Sequence, residues 1–272
     1  MISTPCITPL FVPGNRPERF TKAAASGADA IILDLEDAVA PGQKLQARAA
    51  LRRQGALPEN TTIFVRINAR ATPWYKEDLE ALAGLPLAGV MLPKTEAATD
   101  IQAVSQALLN LPIIALIESA KGVAAARSIA HIPDVARLAF GSIDFCADLG
   151  AEHTRDALLL ARAELVLASR LGGLAAPLDG VTAAINDAAL IEDDARYAQS
   201  LGFSGKLCIH PKQIAPARRG FMPSAEDIAW AKHILKRAED GAAAVDGAMV
   251  DAPVRARARQ ILARAHTPVD TN

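Results

Sequence analysis

The stretch ADAIILDLED, at residues 28–37, decides the fold class. Its centre is a run of apolar residues without polar alternation, and acidic residues follow the run. The stretch PIIALIES, at residues 112–119, has the same form. Continuous apolar runs of this length are typical of strands that are buried on both faces of a parallel sheet. The two stretches therefore predict an α/β protein.

The same pattern occurs eight times along the chain. We predict strands at Ile7–Val12, Ala30–Leu35, Ile63–Ile67, Gly89–Leu92, Ile113–Ile117, Leu138–Phe140, Leu174–Pro177 and Lys206–Ile209. Amphipathic segments such as residues 16–27 and 154–173 lie between the strands, and glycine ends several of them, as in helix C-caps. Eight β-α units in this order predict a TIM (β/α)8 barrel with a short C-terminal helical appendage.

One alternative architecture is a doubly wound sheet that binds a dinucleotide. It requires a glycine-rich GxGxxG turn after the first strand, whereas residues 12–20 read VPGNRPERF. No linker or internal repeat divides the chain. We expect one domain overall, with the barrel at residues 1–245 and a connector and helix at residues 246–272 that contribute to the active site.

Composition excludes several classes of protein. The 272 residues include 29 basic and 30 acidic side chains, which gives a net charge of −1, and 51% of the residues are hydrophobic. A nucleic-acid partner requires a basic excess, and nothing here predicts a membrane surface. The N-terminus lacks the basic and apolar regions of a signal peptide, and the three widely spaced cysteines indicate reduced thiols. We expect a cytoplasmic protein.

Polar residues follow nearly every predicted strand, and a TIM barrel places its active site at these strand ends. These residues are Asp34, Glu36, Asp37, Arg66, Asn68, Lys94, Glu118, Ser119, Ser142, Asp144, Asp179 and His210. Carboxylates that share a rim repel one another, and Mg²⁺ relieves this repulsion. Glu118 and Asp144 end neighbouring strands and are the predicted metal ligands, with Glu36 and Asp37 holding metal-bound waters. The alternative is that these acids cap the helices that follow.

Basic residues form the second part of the predicted site. Arg66 lies within the apolar strand FVRIN and is suited to bind a carboxylate or a developing enolate oxygen. The alternative is a structural ion pair with Glu36 or Asp37, because buried charges are usually paired.

Weaker candidates lie in the loops. At the first βα turn, Arg16, Arg19 and Lys22 either meet the phosphates of a cofactor-like substrate or form a solvated helix face. Lys94 either forms a Schiff base or belongs to an ion pair. His210 is either a catalytic group or a loop histidine with its hydrogen bonds satisfied.

Several motifs together resemble one known family. They are LFVPGNRPERFTKA (10–23), DLEDAV (34–39), VRIN (65–68), LPKTE (92–96), IESAKGV (117–123), GSIDFCADLG (141–150) and CIHPKQ (208–213). In this order they resemble the citrate lyase β-subunit-like branch of the HpcH/HpaI aldolase superfamily, from Pro9 to about Ile261. The resemblance implies a Mg²⁺-dependent carbon–carbon lyase. Its substrates would be hydroxyacyl-CoA thioesters, such as citryl-, malyl- or citramalyl-CoA, and its products an acyl-CoA and a 2-oxo acid.

The resemblance also implies roles for single residues. Glu118 and Asp144 are the metal ligands, Glu36 and Asp37 support the metal-bound waters, and Arg66 binds the 2-oxo acid and stabilises the enolate. Asp251, in AMVDAP, matches an acid/base aspartate that often reaches the site from a neighbouring subunit. The resemblance also implies a homotrimer. Without the resemblance, Asp251 would be read as a helix N-cap.

Four alternatives remain at this point. The chain could be a thioesterase, the β subunit of a citrate lyase complex that uses an acyl-carrier-protein thioester, or an enzyme of free 4-hydroxy-2-oxo acids. The AMVDAP tail favours the thioester branch over the last of these. A non-catalytic barrel that senses a ligand is the fourth, although such a sensor would not need both metal ligands and a proton donor.

Overall fold

The computed structural model describes residues 6–53, 55–239, 244–245 and 248–265. Eight parallel strands form one sheet in chain order. They are β1 (Leu10–Pro13), β2 (Ile31–Asp34), β3 (Ile63–Arg66), β4 (Gly89–Leu92), β5 (Ile113–Ile117), β6 (Val135–Phe140), β7 (Leu178–Asp179) and β8 (Gly205–Lys206). The helices are α1 (Phe20–Ala24), α2 (Lys44–Arg52), α3 (Tyr75–Leu82), α4 (Ala98–Ala107), α5 (Ala120–Ala130), α6 (Ser142–Leu149), α7 (Arg155–Leu171), α8 (Ala188–Leu201), α9 (Ile214–Phe221), α10 (Ala225–Glu239) and α11 (Ala252–Ala265).

Hydrogen bonds between the first and last strands close the sheet. Leu10 forms a parallel bridge with Cys208, and the Phe11 amide donates to the Cys208 carbonyl oxygen at 2.8 Å. The Lys206 amide donates to the Ile7 carbonyl oxygen at 2.7 Å. Closure leaves the sheet without an exposed edge. The predicted TIM barrel is confirmed.

Alternate residues of each strand belong to two apolar layers. Ile32 packs inside the barrel with Phe64 and Leu116, whereas its neighbours Ile31 and Leu33 pack in the layer between the strands and the helices. All residues of β2 and β5 are buried, which explains their continuous apolar sequence.

The seventh predicted strand is wrong. Residues 174–177 precede β7, which begins only at Leu178. The Leu174 amide instead donates to the Ser169 carbonyl oxygen at 2.9 Å, so Leu174 belongs to the exit turn of α7. This turn passes through Gly173, whose positive φ of 68° suits glycine. Leu174 packs against the core, and the Pro177 carbonyl oxygen accepts from the Ser204 amide at 3.2 Å, immediately before β7 begins.

The C-terminal helices have a small core of their own. Helix α10 packs against α11 around a cluster of buried apolar residues: Ala231, Ile234, Val250, Ala258 and Ile261. Between the helices, Ala244–Val245 (β9) pairs with Ala248–Met249 (β10). Within the predicted connector and helix, residues 246–247 and 266–272 lie outside the described residues. No helix in the part of the chain that the structure describes is long and apolar enough to cross a membrane.

Candidate active site at the carboxyl ends of the strands

Five predicted residues reach one end of the barrel because each follows, or ends, a parallel strand. Arg66 is the last residue of β3, Glu36 follows β2, and Lys94 follows β4. Glu118 comes directly after β5, and Asp144 lies in the first turn of α6, which follows β6. The carboxyl ends of parallel strands form one rim, so chain topology alone brings these side chains to the same face.

Arg66 is held by three acids, one at the end of β2 and two in the segment that follows it. Its Nε and Nη2 donate to Asp34 Oδ1 and Oδ2 at 2.8 and 2.7 Å, which is a bidentate pair. Its Nη1 lies 3.1 Å from Glu36 Oε2 and 3.7 Å from Asp37 Oδ2. The predicted ion pairs with Glu36 and Asp37 therefore exist, but the bidentate partner is Asp34, whose role the sequence did not reveal.

The environment of Arg66 keeps it charged. Its side chain is 11% exposed, and its guanidinium carbon lies 4.7 Å from the centre of the Phe11 ring. Burial alone would lower the pKa of Arg66, but the attraction of Asp34, Glu36 and Asp37 raises it above its ordinary value. A rigid, permanently charged guanidinium at the rim is suited to binding an anion.

Glu36 and Glu118 are buried carboxyl groups with strongly raised pKa values. Burial raises the pKa of Glu36 to about 7 against the attraction of Arg66. Burial also raises the pKa of Glu118 to about 8, and repulsion from Glu36 and Asp144 adds to this increase. Three acids that interact electrostatically in a partly buried site require a cation or protons to offset their repulsion.

Backbone groups shape the pocket around Glu118. The Lys94 amide donates to Glu118 Oε1 at 2.7 Å, and Lys94 adopts a positive φ of 47°. A non-glycine residue in this region stores strain, which is common at functional sites. On the other side, a Cβ atom at Gly141 would overlap Glu118 Oε2 and Cβ. Glycine at position 141 therefore leaves room for the carboxylate.

A buried lysine that the sequence did not single out supports the loop after β2. Lys44 Nζ donates to the carbonyl oxygens of Leu35 and Glu36 and to Asn68 Oδ1, each at 2.7 Å. Asn68 Nδ2 in turn donates to Asp78 Oδ2 at 2.6 Å. Lys44 therefore fixes the backbone that carries Glu36. The inner face of α2 would ordinarily carry an apolar residue at this position. A charged residue there was the sequence signal that could have identified Lys44.

The remaining rim acids differ in their surroundings. Asp37 is 58% exposed. Asp179 is fully buried, where Arg162 Nε and Lys206 Nζ donate to it at 2.9 and 3.0 Å. Asp179 is therefore part of a buried ion-pair network, and its carboxylate oxygens are already paired.

The basic group at the first βα turn is accessible to solvent. Arg16, Arg19 and Lys22 are all exposed, and Arg16 Nε donates to Glu18 at 2.8 Å. This exposure fits both sequence interpretations, the phosphate contact and the solvated helix face. Nδ1 of His210 accepts a hydrogen bond from the Lys212 amide at 3.1 Å. This contact agrees with the interpretation of His210 as a loop histidine with its hydrogen bonds satisfied.

Asp251 lies in the C-terminal unit and acts as a helix cap. Its side chain is exposed, and Oδ1 accepts a hydrogen bond from the Val254 amide at 3.0 Å. Its carbonyl oxygen accepts from the Arg255 amide. The observed hydrogen bonds of Asp251 are thus with its own helix, and the structure does not bring it together with Glu118 or Asp144.

The acids of the rim fit a hard divalent cation. Among the described residues, no group of three or more His, Cys, Asp or Glu side chains is arranged as a metal site. Mg²⁺ commonly takes only one or two protein carboxylates and completes its coordination with water and substrate oxygens. Glu36 Oε2 is buried and lies 3.1 Å from Arg66 Nη1, but it accepts no hydrogen bond from the described residues, so it can still accept one from a metal-bound water. The donor set and the raised pKa of Glu118 are therefore compatible with Mg²⁺.

Fold and site together define a class: a TIM-barrel protein with an acidic rim and a fixed arginine. The family model described as HpcH/HpaI aldolase/citrate lyase matches residues 8–211. The chain belongs to this family.

Relatives with assigned names cover nearly the whole chain. A citrate lyase subunit beta-like protein of Mycobacterium tuberculosis is 43% identical, and the match covers 94% of this chain and 94% of that protein. A (3S)-malyl-CoA thioesterase of Cereibacter sphaeroides is 35% identical over 94% of this chain and 93% of its own. An L-malyl-CoA/beta-methylmalyl-CoA lyase of the same species is 35% identical over 89% and 86%.

Solved structures agree with the fold. The protein CitE from Mycobacterium tuberculosis, in complex with magnesium, acetoacetate and coenzyme A, superposes with a TM-score of 0.88 at 39% identity. The match covers 97% of this chain and 99% of that one. A citrate lyase beta subunit of the same organism, complexed with oxaloacetate and magnesium, gives a TM-score of 0.74 at 38% identity over 82% and 99%.

Proposed function

We propose that this protein is a Mg²⁺-dependent carbon–carbon lyase that cleaves or forms a hydroxyacyl-CoA thioester of the malyl-, citramalyl- or citryl-CoA type. The observation that carries the proposal is the cluster of Arg66, Glu36, Glu118 and Asp144 at the rim of a barrel of this family. The complexes of CitE with magnesium, coenzyme A and small oxo acids support the choice of cofactor and substrate class.

Glu118 and Asp144 would hold the metal ion, and Glu36 and Asp37 would orient its waters. The chemistry that bound Mg²⁺ supplies is Lewis-acid stabilisation of negative charge on the oxygens of the oxo acid. Lys94 contributes through its backbone, because its amide hydrogen bond fixes Glu118 Oε1. Lys44 contributes by holding the loop of Glu36.

Arg66 would bind the carboxylate of the 2-oxo acid. Asp34 holds two edges of the guanidinium, so the side chain is already oriented before substrate binds. Its charge also stabilises the negative charge that develops when the carbon–carbon bond breaks. The exposed Arg16, Arg19 and Lys22 would contact the phosphates of the coenzyme A part.

Cleavage requires two proton transfers. A base takes the hydroxyl proton of the substrate, the carbon–carbon bond breaks to give a 2-oxo acid and a thioester enolate, and an acid returns a proton to the enolate carbon. We assign the acid to Asp251 of a neighbouring subunit in a homotrimer, since this exposed residue is separate from its own chain's acids. Asp251→Asn should abolish turnover because the amide cannot donate the proton. The fold and Mg²⁺ binding should persist because Asn is also a good N-cap.

The origin of Asp251 has a direct test. Asp251→Asn and Glu118→Gln homo-oligomers should each be inactive. Subunits mixed and reassembled from the two variants should recover activity, because one interface then joins an intact Glu118 to an intact Asp251. Mixed subunits that stay inactive would mean that both residues act within one chain. An active Asp251→Asn homo-oligomer would mean that Asp251 is not needed.

The first experiment on substrate is a screen of the purified protein with Mg²⁺ against malyl-CoA, citramalyl-CoA and citryl-CoA. The 2-oxo acid and free coenzyme A thiol are measured separately. A lyase releases oxo acid without free thiol, and chelation by EDTA should stop it. Free thiol without oxo acid would overturn the proposal in favour of a thioesterase, which the malyl-CoA thioesterase relative makes the second candidate.

No reaction with any of the three thioesters would have a different meaning. The same assay with citryl thioester on an acyl carrier protein then tests the β-subunit alternative. If Mg²⁺ and an oxo acid still bind in calorimetry without any turnover, the protein is a ligand sensor and the lyase proposal fails.

A further inference from the structure

Arg137 lies inside the barrel near the amino ends of the strands, away from the catalytic rim. The pairing of β5 with β6 shifts there: Ile113 faces Val135 and Ile114 faces Arg137, so Ala136 is an extra residue in β6. Such a β-bulge changes the direction of the next side chain. Because Ile114 belongs to the interior cluster, its partner Arg137 also points into the barrel.

The guanidinium of Arg137 is buried but has only neutral partners. The residue is 6% exposed. Its Nε donates to the Ala176 carbonyl oxygen, Nη1 to the Cys6 carbonyl oxygen and Nη2 to Ser204 Oγ, each at 2.7 Å. A guanidinium has five N–H donors, so each terminal nitrogen keeps one that is not used by these contacts.

The other buried arginines show what Arg137 lacks. Arg48 pairs with Asp78 at 3.1 Å, and Arg162 pairs with Asp179 at 2.9 Å. No carboxylate of the described residues lies within 4 Å of the Arg137 guanidinium. Burial lowers the pKa of Arg137, and the attraction of Asp29, which is itself paired with Arg218, offsets this only in part. A buried charge without a counter-ion is unfavourable, and an anion in this place would relieve the cost.

A cavity of about 780 Å³ opens beside Arg137. We call it the lower cavity. Its walls are the connections that lead into β5, β6 and β7, and they include the apolar side chains of Leu111, Ile132, Val135 and Leu174. Asp134 also lines the cavity, at an exposed position. This volume is within the range of small-molecule sites, and such sites combine mostly apolar walls with few polar groups.

We propose that the lower cavity binds a small organic monoanion, a carboxylate with a short aliphatic body, whose carboxylate group contacts Arg137. One unpaired guanidinium calls for one negative charge, and its planar fork matches a carboxylate. The apolar walls would cover the aliphatic part. This site is separate from Arg66, Glu118 and Asp144, so the proposal does not depend on the reaction that the rim catalyses.

The test is calorimetric titration of the full-length protein with sodium butyrate in the presence of EDTA. A Kd of about 1 mM is expected, which is typical of a ligand with so few atoms. Arg137→Met removes the charge, and Ala175→Trp narrows the mouth at an exposed lining position while Arg137 stays. Each variant should bind butyrate about tenfold more weakly or not at all.

Two controls keep the result specific. Arg66→Met removes the arginine of the rim, and its circular dichroism spectrum is compared with that of the unmodified protein because Asp34 loses its buried partner. Ala163→Trp places the same bulky side chain as Ala175→Trp at an exposed position of α7. Both should bind butyrate as the unmodified protein does. If Arg137→Met does not fold, the comparison of butyrate binding by Ala175→Trp and by Ala163→Trp is sufficient to test the proposal.

Three results would overturn the proposal. They are no butyrate binding by the unmodified protein, loss of binding in Arg66→Met instead, and undiminished binding in Ala175→Trp. The first result includes sulfate binding without butyrate binding, because the site would then accept an inorganic anion and not a carboxylate with an aliphatic body.

Discussion

The pair between Asp34 and Arg66 allows a quantitative prediction for Asp34→Asn. Asp34 is fully buried and accepts two hydrogen bonds from Arg66, at 2.8 and 2.7 Å, and two from the amides of Glu36 and Ala38, both at 2.9 Å. Each carboxylate oxygen accepts two of these four hydrogen bonds, and Asn has one acceptor oxygen and one donor NH2, so two of the donors would face another donor. Hydrogen bonds to charged groups contribute about 1.5–3 kcal/mol each. We expect the free energy of unfolding to fall by about 3–5 kcal/mol, the range for removing one partner of a buried ion pair.

Asp37→Asn is the matched control, since Asp37 faces the same guanidinium. Its Oδ2 lies 3.7 Å from Arg66 Nη1, and its side chain is 58% exposed. Exposed ion pairs contribute little, so the expected loss is below about 0.5 kcal/mol. Urea unfolding of both variants, in EDTA at neutral pH, measures the difference in the free energy of unfolding. The slope of free energy against urea concentration should be the same in both variants. Equal losses in the two variants, or a loss below about 1 kcal/mol for Asp34→Asn, would refute the reasoning from burial.

Three further predictions concern other parts of the barrel. Gly141→Ala should greatly weaken Mg²⁺ binding in calorimetry because its Cβ overlaps the Glu118 carboxylate, whereas Gly42→Ala, with no atom within 4 Å of its Cβ, should bind normally. Asp144→Asn should also weaken Mg²⁺ binding, while a circular dichroism spectrum identical to that of the unmodified protein shows that the fold is kept. Burial would raise the pKa of Asp179, but its two basic partners lower it below the ordinary 3.8. Asp179 therefore stabilises the fold in full above that pH and loses its contribution as the pH falls through the lower value, so the stability difference from Asp179→Asn should shrink in acid. A difference that is independent of pH would contradict this assignment.

The candidate site could be predicted only as a set of residues at one rim. Chain topology places strand ends together, so Glu118, Asp144 and Arg66 follow from the sequence pattern alone. Hydrogen-bond partners do not follow from it: Asp34 and Arg66 are 32 residues apart, and three acids lie within reach of the arginine. The two strands lie side by side with Asp34 opposite Arg66, and this register selects Asp34 as the bidentate partner.

Strand β7 and Arg137 show where local sequence is insufficient. Residues 174–177 are apolar enough for a strand, yet the exit turn of α7 uses Leu174 and delays the strand to Leu178. Arg137 lies in a strand that was predicted to begin only at Leu138. Its direction depends on a single extra residue in β6, and a bulge is a property of the pairing of two strands.

The sequence by itself determined the number and order of the β-α units and the acidic rim, because apolar runs and helix periodicity are local properties of the chain. Tertiary structure decided which charges are paired. It placed three acids around Arg66 and two basic groups around Asp179. Among the described residues, it placed no carboxylate within 4 Å of the Arg137 guanidinium, whose hydrogen bonds are with neutral groups. The physical reason is that burial and counter-ions are set by neighbours from distant parts of the chain, and in a closed barrel those neighbours are known only once the strands are in register.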